Sequence, residues 1–170
     1  MNDLFEYDEK FLFPATLFIA EVPYKIITVL GSCVAVCIWD KVLKIGGMNH
    51  YMLPLWNGNG LASPKYGNIA IPKLVEELSM RGSQKKNMVV KVFGGGNVIE
   101  SISKEFSIGE KNIQIAFRII SEIGLNISGS SLGGEKGRKI MFNSYTGEVF
   151  QKYLEKATTL QNLQIQISGI

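Results

Sequence analysis

Cys33 and His50 are the side chains whose pairing could do nucleophilic chemistry in this sequence, and His50 is the only histidine among its 170 residues. A thiol near its ordinary pKa of ~8.5 is mostly protonated at neutral pH. An adjacent imidazole can take that proton and leave a thiolate–imidazolium pair able to attack a carbonyl carbon. Leu30, Gly31 and Ser32 precede Cys33 and read as a turn. That turn supplies permissive backbone, so the N–H groups around Gly31 and Ser32 are candidates to hold a developing oxyanion. The same residue types also have a bland reading. Cysteine is among the most buried residues, and a lone histidine is more often structural than catalytic. Cys37 illustrates that reading: it has no histidine in register with it and is expected in the core.

Whether the pair meets depends on the elements that carry it. Residues 26–39 are rich in Val and Ile and apolar on both alternating faces, as expected of a strand covered on both sides at the centre of a sheet. Residues 40–44 interrupt this run, and residues 45–53 resume it until Pro54, which reads as a hairpin. Closing the hairpin with Lys41 and Val42 at the turn pairs Asp40 with Leu43 and sets Cys33 directly opposite His50, with Cβ atoms ~5 Å apart. A bulge at Gly46 and Gly47 would shift the register by one and carry His50 to the other face.

The remaining elements frame this hairpin. Ile71, Leu74, Val75 and Leu78 recur at helical spacing within residues 68–81, with Pro72 in the first turn and Gly82 at the end. Ser107 and Glu110 have the spacing of a capping box ahead of an apolar stripe of Ile113, Ala116, Phe117 and Ile120 that stops at Gly124. Residues 88–93, 125–132, 138–142 and 148–154 read as strands. The fold expected is α/β: a single-domain layered sandwich with a mixed sheet core and flanking helices. Leu163, Ile165 and Ile167 could add an edge strand in the weakly patterned tail, residues 155–170.

Composition narrows the class further. An apolar fraction of 46% against 19% charged describes a chain that folds rather than one that stays disordered. The net charge is +3, and the basic residues are scattered apart from Arg81, Lys85, Lys86 and Lys91, which read as a solvated surface rather than a nucleic-acid site. No uninterrupted apolar stretch reaches the ~18 residues of a membrane helix, and the acidic first ten residues do not resemble an export signal. A cytoplasmic protein with reduced thiols is expected. The glycine clusters at residues 94–96 and 133–137 lack the P-loop and dinucleotide spacings, and read as turns or substrate-contacting loops.

The run from Thr28 through Leu30-Gly31-Ser32-Cys33 to Cys37-Ile38-Trp39-Asp40, followed by Gly46-Gly47-Met48-Asn49-His50 and Leu53-Pro54, resembles the CheD family of chemoreceptor glutamine deamidases. The likeness continues through Tyr66-Gly67-Asn68, Lys91 to Gly95, Ile108-Gly109-Glu110-Lys111-Asn112 and residues 133–139, covering roughly residues 11–154. The resemblance implies an α/β sandwich related to the cysteine-dependent deamidating toxins, acting on glutamine side chains of methyl-accepting chemotaxis receptors. It places the nucleophile at Cys33 and the base at His50, with Thr28 the nearest candidate for a hydroxyl that orients the histidine. It implies no metal or organic cofactor, and a CheC-type phosphatase as a second partner. A non-catalytic adaptor binding receptors and that phosphatase, and a papain-like peptidase or acyltransferase sharing the dyad, are the competing classes.

Overall fold

A computed structural model describes residues 6–98 and 106–155. Among these residues, nine strands and two α-helices form three layers in this order: β1 (Asp8–Phe11), β2 (Thr16–Ala20), β3 (Tyr24–Leu30), β4 (Val34–Asp40), β5 (Ile45–His50), α1 (Gly67–Met80), β6 (Met88–Gly94), α2 (Ile108–Ile123), β7 (Ile127–Leu132), β8 (Arg138–Asn143) and β9 (Val149–Tyr153). One sheet has the order β1-β3-β8-β9 and the other β2-β5-β4-β6-β7, each mixing parallel and antiparallel neighbours.

Strand alternation builds two cores from one central strand. Val34, Val36 and Ile38 of β4 meet α1 and α2 through Leu74, Leu78, Ala116 and Ile120. Ala35 and Cys37, on the opposite face of the same strand, meet Ile26, Leu30, Ile140 and Phe142 of the facing sheet. This explains why the sequence is apolar on both faces here. The single strand expected over residues 26–39 is nevertheless two. The chain breaks at residues 31–33 and crosses from one sheet to the other, so β3 and β4 stack face to face. An apolar run with a small Gly-Ser insertion carries the same pattern whether it continues or crosses over, which is why periodicity did not separate the two cases.

α2 follows its expected signals closely, whereas in α1 Pro72 lies inside the helix rather than in its first turn. The Ser107 side chain accepts from the Glu110 amide at 3.2 Å, and Gly124 ends α2 with φ +87°. Phe117 departs from the expected stripe, being 49% exposed, while Ile115 and Ile119 take buried positions on α2. The cradle of glycines on β5 has a packing cause. A Cβ at Gly46 would strike the Phe142 ring, and one at Gly47 would strike Leu74 and Ile19, so only a bare backbone fits between the facing sheet and α1. Leu163, Ile165 and Ile167 lie outside the described residues. Among the described residues, no helix is long and apolar enough to cross a membrane.

Candidate active site

Three consecutive carbonyls anchor the crossover turn that carries Cys33. The Gly31 carbonyl accepts from the Gly96 amide at 2.9 Å, and that of Cys33 from the Gly95 amide at 2.8 Å. The Ser32 carbonyl accepts from the side-chain amide of Asn112 on α2, at 3.0 Å. Cys33 itself is partly buried and packs against the core between the sheets. Gly94, with φ +110°, passes so close that a Cβ there would be driven into the Cys33 carbonyl. Gly94→Ala therefore combines a forbidden backbone conformation with a backbone clash. We expect it to cost about 3 kcal/mol or more, read as a lowered urea midpoint, and to reduce activity in whatever protein still folds.

The hairpin forms, but not in the expected register. Asp40 caps a four-residue loop: its Oδ1 accepts from the Val42 and Leu43 amides at 2.9 and 2.8 Å, and its Oδ2 from the Ser83 hydroxyl. Burial raises the Asp40 pKa, but these bonds outweigh it and hold the carboxyl below its ordinary range. Asp40 thus pairs with Ile45, and the same register carries Cys37 to Met48 and Val34 to Tyr51. No bulge occurs at Gly46 or Gly47, which pair regularly with Trp39 and Ile38. The longer loop slides β5 by two residues, which conserves the face of every side chain. The register instead sets His50 opposite Ala35, two residues from Cys33, on the face between the sheets against which Cys33 packs.

His50 ends β5 at 2% exposure. Its Nδ1 lies 2.7 Å from the Thr28 hydroxyl on β3, and that hydroxyl donates to the Leu12 carbonyl at 2.7 Å. A hydroxyl has one proton to give. With that proton committed to Leu12, Thr28 must accept from Nδ1–H, which leaves Nε2 as the nitrogen with the lone pair. The neighbouring backbone is held as well, since the Ala15 amide donates to the His50 carbonyl at 2.8 Å. Nε2 is buried and makes no hydrogen bond, so the expected S···N bond is not made in this structure.

The resting charge state also differs from the sequence expectation. Burial pushes the Cys33 thiol up to about 11, against a smaller opposing pull from its own backbone amide. Burial likewise pushes His50 down to about 4. A low-dielectric site disfavours both charged forms, so the pair rests as a neutral thiol and a neutral imidazole rather than as an ion pair. Complete burial raises the Cys37 thiol further, and at 1% exposure it is a core residue. The backbone N–H of Cys33 is one candidate donor for an oxyanion formed next to its sulfur.

The model of the family "CheD chemotactic sensory transduction" matches residues 52–153, more than half of the chain. A protein of Sulfurimonas denitrificans named "probable chemoreceptor glutamine deamidase CheD" is 52% identical over 152 residues, covering 89% of this chain and 97% of its own length. The chain belongs to the CheD family. A second CheD protein of the same printed name, from Trichlorobacter lovleyi, is 49% identical over 139 residues, 82% of this chain and 86% of its own. A third, "probable chemoreceptor glutamine deamidase CheD 1" of Anaeromyxobacter dehalogenans, is 38% identical over 146 residues, 86% of this chain and 85% of its own. Thr28, Cys33 and His50 all precede the span matched by the CheD family model.

Two contributors to the site were not singled out from sequence for any role there. The Leu12 carbonyl, which decides the histidine tautomer, is backbone and leaves no residue-type signal. Asn112 does leave one: it is a fully buried polar side chain on the apolar face of an amphipathic helix, four residues before Ala116.

Proposed function

We propose that this CheD protein hydrolyses the side-chain amide of glutamine residues in methyl-accepting chemotaxis receptors, leaving glutamate and releasing ammonia. The observation that carries this reading is the chain from Leu12 through Thr28 to His50 Nδ1. It leaves Nε2 an unpartnered acceptor on the face where Cys33 packs. The names of the relatives supply the substrate class.

His50 Nε2 takes the Cys33 thiol proton as the sulfur bonds to the glutamine amide carbon, so the charges appear only as the reaction proceeds. The carbonyl π electrons move to oxygen, and the N–H groups of Ser32 and Cys33, in the turn begun by Gly31, stabilise that oxyanion. Collapse of the tetrahedral adduct breaks the C–N bond, and the imidazolium gives its proton to the departing ammonia. A thioester remains. Water then loses a proton to Nε2 as its oxygen bonds to the thioester carbon, and the second collapse expels the sulfur, which recovers that proton. The product is a carboxylate that a methyltransferase could esterify.

Mass spectrometry of a receptor cytoplasmic fragment incubated with the protein tests this reading. The expected result is a gain of ~1 Da at particular glutamines together with free ammonia, since an acid replaces an amide. An unchanged mass would leave the adaptor reading, in which the protein binds receptors and a CheC-type phosphatase without chemistry. Peptide cleavage would support a peptidase.

A further inference from the structure

We infer that Asn112 is a positioning residue for the nucleophile turn, setting the direction of the Cys33 amide N–H and the spacing between that turn and the strand end that carries His50; this rests on the deamidase reading. Asn112 is fully buried near the N-terminal end of α2. Its side-chain amide donates to the Ser32 carbonyl at 3.0 Å and to the Met52 carbonyl at 2.9 Å. Two carbonyl acceptors need two protons, so both N–H bonds of the carboxamide are committed and its orientation is fixed. One acceptor immediately precedes Cys33 and the other lies two residues after His50, so a single planar group spans the two chain segments on which the chemistry depends. The main chain at Asn112 is pinned in turn, because its carbonyl accepts from the buried Tyr51 hydroxyl at 2.6 Å.

The geometric consequence concerns the peptide between Ser32 and Cys33. In a trans peptide the N–H points opposite to the preceding C=O, and there are no cis bonds among the described residues. Holding the Ser32 carbonyl against Asn112 therefore turns the Cys33 N–H away from α2, so that it can serve an oxyanion formed beside the sulfur. The Gly96 amide does the same for the preceding peptide by holding the Gly31 carbonyl. Free rotation of the Ser32–Cys33 peptide would remove an oxyanion donor without altering the surface a receptor meets. Loss of Asn112 should thus lower kcat and leave KM.

The test compares Asn112→Ala and Asn112→Asp with Leu78→Ala, which opens the same helix-facing core near the C-terminal end of α1. We expect folded Asn112→Ala to lose about a hundredfold in kcat with KM within about twofold, while Leu78→Ala at a comparable loss in Tm stays within about twofold in both. In Asn112→Asp the introduced carboxylate faces two carbonyls and repels them. Its protonated form can donate to one, so kcat should rise as the pH is lowered from 8 to about 5, where the wild type is flat. A folded Asn112→Ala within about threefold of wild-type kcat, or an equal fall in Leu78→Ala, overturns the inference. If Asn112→Ala does not fold, the absence of that rise in Asn112→Asp overturns it. An unchanged receptor mass and no ammonia with the wild-type protein would instead overturn the deamidase reading, and the clamp is then judged by alkylation. Freeing the turn should speed modification of Cys33 by iodoacetamide about tenfold in Asn112→Asp, and an unchanged rate refutes it.

Discussion

Cys33→Ala should release no ammonia from a receptor fragment above the uncatalysed background while keeping the wild-type fold. The proposed reaction passes through a thioester on this sulfur, and nothing nearby can replace it. Cys37 shares the face, but it is 1% exposed within the core between the sheets, and its thiol is held protonated more strongly than that of Cys33. The fold should survive because Cys33 lies in a crossover turn and is only partly buried. Its backbone is fixed by the carbonyl contacts to Gly95, Gly96 and Asn112, none of which uses the side chain. Removal of one sulfur from such a position costs about 1 kcal/mol. Cys33→Ser should be nearly as inactive, since a neutral hydroxyl is a far weaker nucleophile than a thiol that deprotonates during attack. Ammonia release and circular dichroism melting on the same samples check both halves, and retained activity in Cys33→Ala would end the nucleophile assignment.

The parts of this site that were legible in the sequence are those written by side-chain chemistry, and the parts that were not are written by backbone. A lone histidine and a cysteine behind a Gly-Ser turn stand out by residue type. The two helices announced themselves through Ser107 and Gly124 and through apolar spacing, because capping and amphipathicity are local. β1 and β2 went unread: Asp8–Phe11 is nearly all exposed at a sheet edge and carries no alternation to find. The hairpin register was missed because Asp40 has a side chain that closes a longer loop than the minimal one, and the error was harmless only because it was even. The contact between Thr28 and His50 joins different sheets, a tertiary fact no local pattern contains. The family resemblance pointed to Thr28, while composition and spacing did not. The direction of the pKa shifts was also illegible, since desolvation depends on how deeply the packed layers bury a group and not on its neighbours in sequence.

His50→Asn separates the base from the scaffold that aims it, and it should lower kcat by about 10² to 10⁴ while leaving receptor binding in place. Asparagine can still donate an amide N–H toward Thr28, but it has no equivalent of Nε2 to take up a proton. Thr28→Val tests the other end of the same relay. The isosteric methyl neither accepts from Nδ1–H nor donates to Leu12, so the tautomer is no longer selected, and a smaller loss of kcat, about tenfold or more, should follow. The pH dependence gives an independent check. With the His50 pKa pushed down to about 4, wild-type kcat/KM should stay flat from neutral pH to about pH 5 and fall only as the imidazole charges near 4. Stability obeys the same equilibrium. The unfolded chain binds this proton near pH 6.5 and the folded one only near 4, so the unfolded state holds more protons between those values and stability declines as pH falls through that window. The decline amounts to about 3 kcal/mol for a group this buried. His50 is the only histidine, so His50→Asn should remove that slope. A wild-type activity limb near pH 6.5, or an unaltered stability slope in His50→Asn, would mean that the ring is solvated and free to charge, and the proposed proton acceptor would have to be sought elsewhere.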